Sequence, residues 1–171
     1  DDLLVGIPEA GRSARPELAE IMGFFVNTLP IRLQLQGEGN TFHDLVHRTQ
    51  NRLLVAMDAA NVPFQTIVAN LRKGRAEEID AQQRNPIVQA FFQHVVQGQF
   101  TAHDARKDAE RAGFSVADFE IVPTITPVKF DVSLQTNTTS SGGCSLRWDF
   151  ALEVLSLEAV QMLDRHLAAM A

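Results

Sequence analysis

Cysteine is almost missing from this chain, and its one thiol, Cys144, rules out an internal disulfide and suits a reducing, cytoplasmic setting. Basic residues are scarce too: 15 Lys and Arg against 21 Asp and Glu leave a formal charge of −6, with no dense basic stripe. That balance disfavours a phosphate backbone and makes nucleic acid an unexpected partner. No apolar run approaches the roughly 18 residues of a membrane span, and no charged segment followed by a cleavable apolar stretch opens the chain, so no membrane partner is expected. The Gly-Glu-Gly and Ser-Gly-Gly segments lack the lysine and helix start of a phosphate loop and read as turns. Internal repeats and low-complexity tracts are absent as well.

What is present suffices for a core: 45% of the 171 residues are hydrophobic, which fits one folded domain. The chain is organised around Gly23–Arg32, whose Phe24, Phe25, Val26, Leu29 and Ile31 predict a central strand covered on both faces. Pro30 lacks an N–H and implies an edge or an irregularity there. Before it, Leu3–Ile7 predicts a buried strand closed by Pro8 and Gly11, and Pro16 with Glu17 and Glu20 predicts a short helix through about Met22. A polar loop over 36–40 leads to Thr41, which opens the longest helix, ending near Asn61. Asp44 stands three residues after Thr41 as in a capping box, and Phe42, Leu45, Val46, Leu53 and Met57 share a face. Pro63 starts a second helix through about Leu71.

Lys73–Gln83 is a charged connection, Ile87–Gln97 a long strand, and Phe114–Val122 an imperfectly alternating one. Val128–Gln135 alternates well and predicts a strand. A Thr, Ser and Gly-rich turn over 137–143 leads to a further strand, Cys144–Leu152, and Ser156 caps a final helix. Strands and helices interleave without regular βαβ spacing, giving an α/β or α+β class with a mixed sheet and flanking helices.

Three features invite a chemical reading. Asn27 and Thr28 interrupt an apolar strand, and a buried amide must place two donors and an acceptor. Asn27 either satisfies nearby backbone at a bulge or faces a channel. His43 and His47 share a helix face at metal-chelating spacing, but Asp44 is better explained as a helix-start residue and no third ligand is placed, so no metal site is expected. Cys144 has no positioned histidine to activate it and is expected to be a strand thiol.

Four blocks, Asp2–Arg12, Gly23–Arg32, Asn61-Val-Pro-Phe-Gln65 and Arg84-Asn-Pro-Ile-Val-Gln89, come in the order and at about the spacing of the condensation domain of nonribosomal peptide synthetases, which the chain closely resembles over nearly its whole length. The Gly-Phe-Phe-Val-Asn-Thr form resembles condensation domains more than their epimerisation or heterocyclisation relatives. The family's His-His-x-x-x-Asp-Gly signature, located in the first of two lobes, is not found in this sequence. The resemblance therefore implies a chloramphenicol-acetyltransferase-like C-terminal lobe cut from something longer, with no catalytic residue of its own.

It further implies one wall of a tunnel where amide bonds join carrier-tethered acyl and aminoacyl thioesters, with Asn27, Thr28 and Arg12 as channel residues. Substrates would arrive on phosphopantetheine arms, with no cofactor bound directly. Implied partners are the N-terminal lobe, peptidyl carrier proteins and an adenylation domain. Strands around Phe91 and Phe92 or around Trp148 and Phe150, parted from that lobe, would favour a homodimer of the isolated chain. The competing class is a noncatalytic module that docks a carrier protein or a neighbouring synthetase domain.

Overall fold

The computed structural model describes residues 2–12, 16–18, 20–35, 41–73, 84–96, 109–114, 128–138 and 142–170. Five strands, β1 (Asp2–Glu9), β2 (Asn27–Gln34), β3 (Ala90–Val96), β4 (Val132–Thr138) and β5 (Cys144–Phe150), form one sheet in the order β2-β1-β3-β4-β5. The outer pairs β1–β2 and β4–β5 are antiparallel, and β3 runs parallel to both β1 and β4. The sheet is thus mixed, and with its helices the fold is α/β.

Register explains which residues meet. Leu29 lies across from Ile7 and Ile31 across from Val5, and both β2 residues are buried. Further across the sheet Phe92, Leu134 and Trp148 are in line. The Trp148 indole donates to Asp164 Oδ1 at 2.9 Å, which fixes α3 (Leu157–Met170) against that face, and Val160 is buried. Ser156 starts α3 as expected, its hydroxyl accepting from the Ala159 amide at 3.2 Å.

Helix α1 (Phe42–Asp58) packs beside β2 and opens on a complete capping box between Thr41 and Asp44. Helix α2 (Phe64–Arg72) follows after one turn. Its Phe64 joins Ile87 and Val88 in the buried core, with Ile67, Val68, Phe91 and Phe130 packed around them. Val88 is wholly enclosed because Gly6, facing it from β1, has no side chain: a Cβ there would lie 2.6 Å from Val88 Cγ1.

Several sequence expectations are corrected. Among the described residues β2 is an edge strand, not a central one, and it begins at Asn27; Phe24 and Val26 precede it and are exposed. Pro30 suits that edge position. The helix expected through Met22 is a single 3-10 turn, Pro16–Leu18, after which Arg12 captures the carbonyls a helix would use. Strand β3 starts at Ala90 rather than Ile87, because Asn85 Oδ1 accepts from the amides of Ile87 and Val88 and holds them in a turn. Strand β4 starts at Val132 rather than Val128: Phe130 leaves the sheet to stack on Phe91, with ring centroids 4.4 Å apart. The loop over 36–40, most of Lys73–Gln83 and all but Phe114 of the strand expected over Phe114–Val122 lie outside the described residues.

Candidate functional site

The end of β1 and the start of β2 lie side by side, Glu9 opposite Asn27, and the sequence-predicted site residues gather at that corner. Asn27 uses its whole amide. Its Nδ2 donates to the carbonyls of Ala60 and Val62, both at 2.9 Å, and its Oδ1 accepts from the amides of Thr28 and Phe64, both at 3.0 Å. The last bond is a helix cap supplied from another element, since Pro63 at the N-cap of α2 makes no side-chain cap bond of its own. One side chain therefore ties the strand to the turn between α1 and α2. Thr28 is half-buried, opposite Pro8 on β1.

Arg12 plays a matching part on the other side of the strand entrance. Its guanidinium donates to the carbonyls of Leu18, of Ile21 at 2.8 Å and of Gly23 at 3.2 Å, and it lies 4.6 Å over the Phe25 ring. The planar, five-donor fork suits this gathering of carbonyls better than a lysine would. Gly11 makes the approach possible: at φ 71° it bends the chain, and a Cβ there would lie 2.2 Å from the Phe25 carbonyl oxygen. The loop so held presents Met22 and Phe24 outward, 99% and 89% exposed.

Sequence reasoning missed a third joint. Arg84 makes a bidentate pair with Asp131, whose carboxylate is buried just before β4. With the Asn85 turn, this pair fixes the entries to β3 and β4 together. The signal was in view: Arg84 and Asn85 lay in a block singled out by resemblance, and Asp131 was assigned to the outer face of an alternating strand.

Over β3, β4 and β5 opens a cleft of about 270 Å3 whose lining includes Phe91, Phe130, Gln93, Gln135, Arg147 and Asp149. It lies on the side of the sheet opposite Trp148, by the alternation of side chains along each strand. Arg147 and Asp149 are paired at 3.1 Å, so its polar rim is internally balanced. The cleft has room for an extended, uncharged chain between aromatic and amide walls.

The histidines are placed apart from this cleft. His94 Nδ1 lies 2.7 Å from Thr136 Oγ1, on the Trp148 side of the sheet. The rings of His43 and His47 stand 4.4 Å apart on α1. Among the described residues no three His, Cys, Asp or Glu side chains converge as metal ligands would. Cys144 is exposed at the first position of β5.

The family model for the condensation domain matches residues 1–171. This chain belongs to the condensation domain family. It is 32% identical over 171 residues to a linear gramicidin synthase of Brevibacillus parabrevis, covering 96% of the chain and 3% of that synthase. It is 29% identical over 163 residues to cyclosporin synthetase simA of Tolypocladium inflatum, covering 94% of the chain and 1% of that protein. Among solved structures, the condensation domain of the monacolin K polyketide synthase MokA superposes with a TM-score of 0.68 at 23% identity, over 98% of this chain and 35% of that one. The X-domain of teicoplanin biosynthesis, in complex with OxyB, superposes with a TM-score of 0.62 at 17% identity, over 96% of this chain and 33% of that one. These likenesses give the fold as chloramphenicol-acetyltransferase-like. The condensation-domain chain spans about a third of the solved domains and a few per cent of the synthetases it matches.

Proposed function

We propose that this chain is most of the C-terminal lobe of a condensation domain and forms one wall of the tunnel in which carrier-tethered thioesters are joined by an amide bond. The family match over residues 1–171 carries this reading. The corner built by Arg12, Asn27 and Arg84 supports it as a stiff frame, and the cleft over β3–β5 supplies a surface of suitable width. Amide formation from a thioester gains mainly from aligning two bound reactants, which a rigid wall serves without an acid or base of its own.

In this reading the histidine signature belongs to the N-terminal lobe, and the isolated chain is inactive. Asn27, Thr28 and Arg12 shape the channel mouth from behind, through the loop and turn they hold. Substrates arrive on phosphopantetheine arms of peptidyl carrier proteins, one of them charged by an adenylation domain, and no further cofactor is bound. The setting is the cytoplasm; no described helix is long and apolar enough to cross a membrane.

A second reading, a noncatalytic docking module, draws on the X-domain, a structural neighbour solved in complex with OxyB. One experiment separates the two. The intact domain containing this chain is given donor and acceptor carrier proteins, each loaded with an aminoacyl thioester, and the acceptor is analysed by mass spectrometry. A dipeptidyl thioester on the acceptor is the expected result. Carrier binding without any amide product would overturn the tunnel reading and favour the module.

A further inference from the structure

We propose that the cleft between β2 and α1 is a binding site for a small phosphorylated anion, held chiefly by Arg48 and Arg52. The cleft measures about 230 Å3, and its lining includes Arg32 and Gln34 from the strand and Leu45, Arg48, Asn51 and Arg52 from the helix. Three guanidinium groups meet there in a chain whose formal charge is −6. Like charges gathered on one wall repel unless counter-charge lies between them.

The carboxylates at hand are already engaged. Asp2 binds Arg32 through both oxygens, with Nε 3.0 and 2.9 Å away, and that bond holds its carboxyl below the ordinary aspartate range, with Arg52 adding a smaller pull. Asp44, the acid one turn before Arg48, accepts from the Thr41 amide at 3.2 Å and hydroxyl at 2.6 Å. Arg48 and Arg52 are left facing the cleft one helical turn apart. The Arg48 Nε is sealed from solvent and has no hydrogen-bond acceptor among the described residues. Its stem is therefore packed in place while the guanidinium end lines the cavity.

Charge and shape select the ligand. A carboxylate carries one charge and two oxygens, enough for one guanidinium fork. A phosphate monoester carries nearly two charges and three terminal oxygens, and so bridges two forks on neighbouring turns, with the Asn51 and Gln34 amides available at the rim. The site is independent of the tunnel reading, since it uses a different side of β2 from the Asn27 joint.

The test is calorimetric titration of the chain with inorganic phosphate and with glycerol phosphate at constant ionic strength, with acetate as the singly charged control. Saturable one-to-one binding is expected for both phosphate probes, with acetate about tenfold weaker or more, as befits one guanidinium contact instead of two. Arg48→Gln and Arg52→Gln are each expected to weaken phosphate by a similar factor, while Arg165→Gln on α3 leaves it unchanged. Should Arg48→Gln fail to fold, the exposed Arg52 position still decides. Phosphate heat that does not saturate, that acetate reproduces, or that survives Arg52→Gln would overturn the proposal.

Discussion

A primary amide offers two N–H donors and two acceptor lone pairs, and at Asn27 all four are spent on backbone groups of three segments of the chain. Truncation strands those groups, so Asn27→Ala is expected to lower stability by about 1–3 kcal/mol. Urea unfolding measures this, and an unchanged midpoint would contradict the joint. Gly11 is the second sensitive residue: an added Cβ meets the left-handed penalty of about 1–2 kcal/mol and a carbonyl oxygen 2.2 Å away. Gly11→Ala should therefore destabilise by at least that penalty in the same assay, and a loss under a few tenths of a kcal/mol would count against the tight corner. The sequence marked Asn27 as an amide needing partners, but not which ones. Three of its bonds reach 33 to 37 residues downstream, and no local pattern encodes a contact at that separation.

Local chemistry was legible wherever a single element contains its own reason. Thr41 and Asp44 cap α1 within three residues of each other, Ser156 caps α3, and both helices start where those side chains put them. Elements whose ends depend on distant partners were not legible: β4 begins late because Phe130 is drawn to Phe91 and Asp131 to Arg84. The cap of α1 carries a pH signature. Hydrogen bonds from Thr41, first its side chain and then its amide, hold the Asp44 carboxyl below the ordinary aspartate value. A folded-state pKa lowered in this way contributes stability above the unfolded value and loses it as pH falls through the lowered one. Amide exchange in the first turn of α1 should accordingly quicken as pH drops below about 4, and Thr41→Ala should bring the Asp44 titration back toward its ordinary value. A carboxyl that titrates identically in both proteins would contradict the cap.

At the scale of the whole molecule, the resemblance of four sequence blocks becomes one structural fact: three of them supply the joints at Arg12, Asn27 and Arg84, and the third in chain order, Asn61–Gln65, receives the Asn27 bonds. The sheet they frame carries half-exposed aromatics, Phe92 at 38% among them, and Cys144–Phe150 forms its other edge among the described residues. Exposed edges and apolar side chains of this kind favour association, so light scattering on the isolated chain is expected to report a dimer, and a monomer at tens of micromolar, roughly the range where such edges pair, would refute that. The central claim is that this chain is a wall and not a catalyst. It is tested most directly by mixing the purified 171-residue chain with donor and acceptor carrier proteins loaded with aminoacyl thioesters, beside the same reaction with the intact domain. Amide product above the uncatalysed rate is predicted with the intact domain alone; product from the isolated chain would contradict the account.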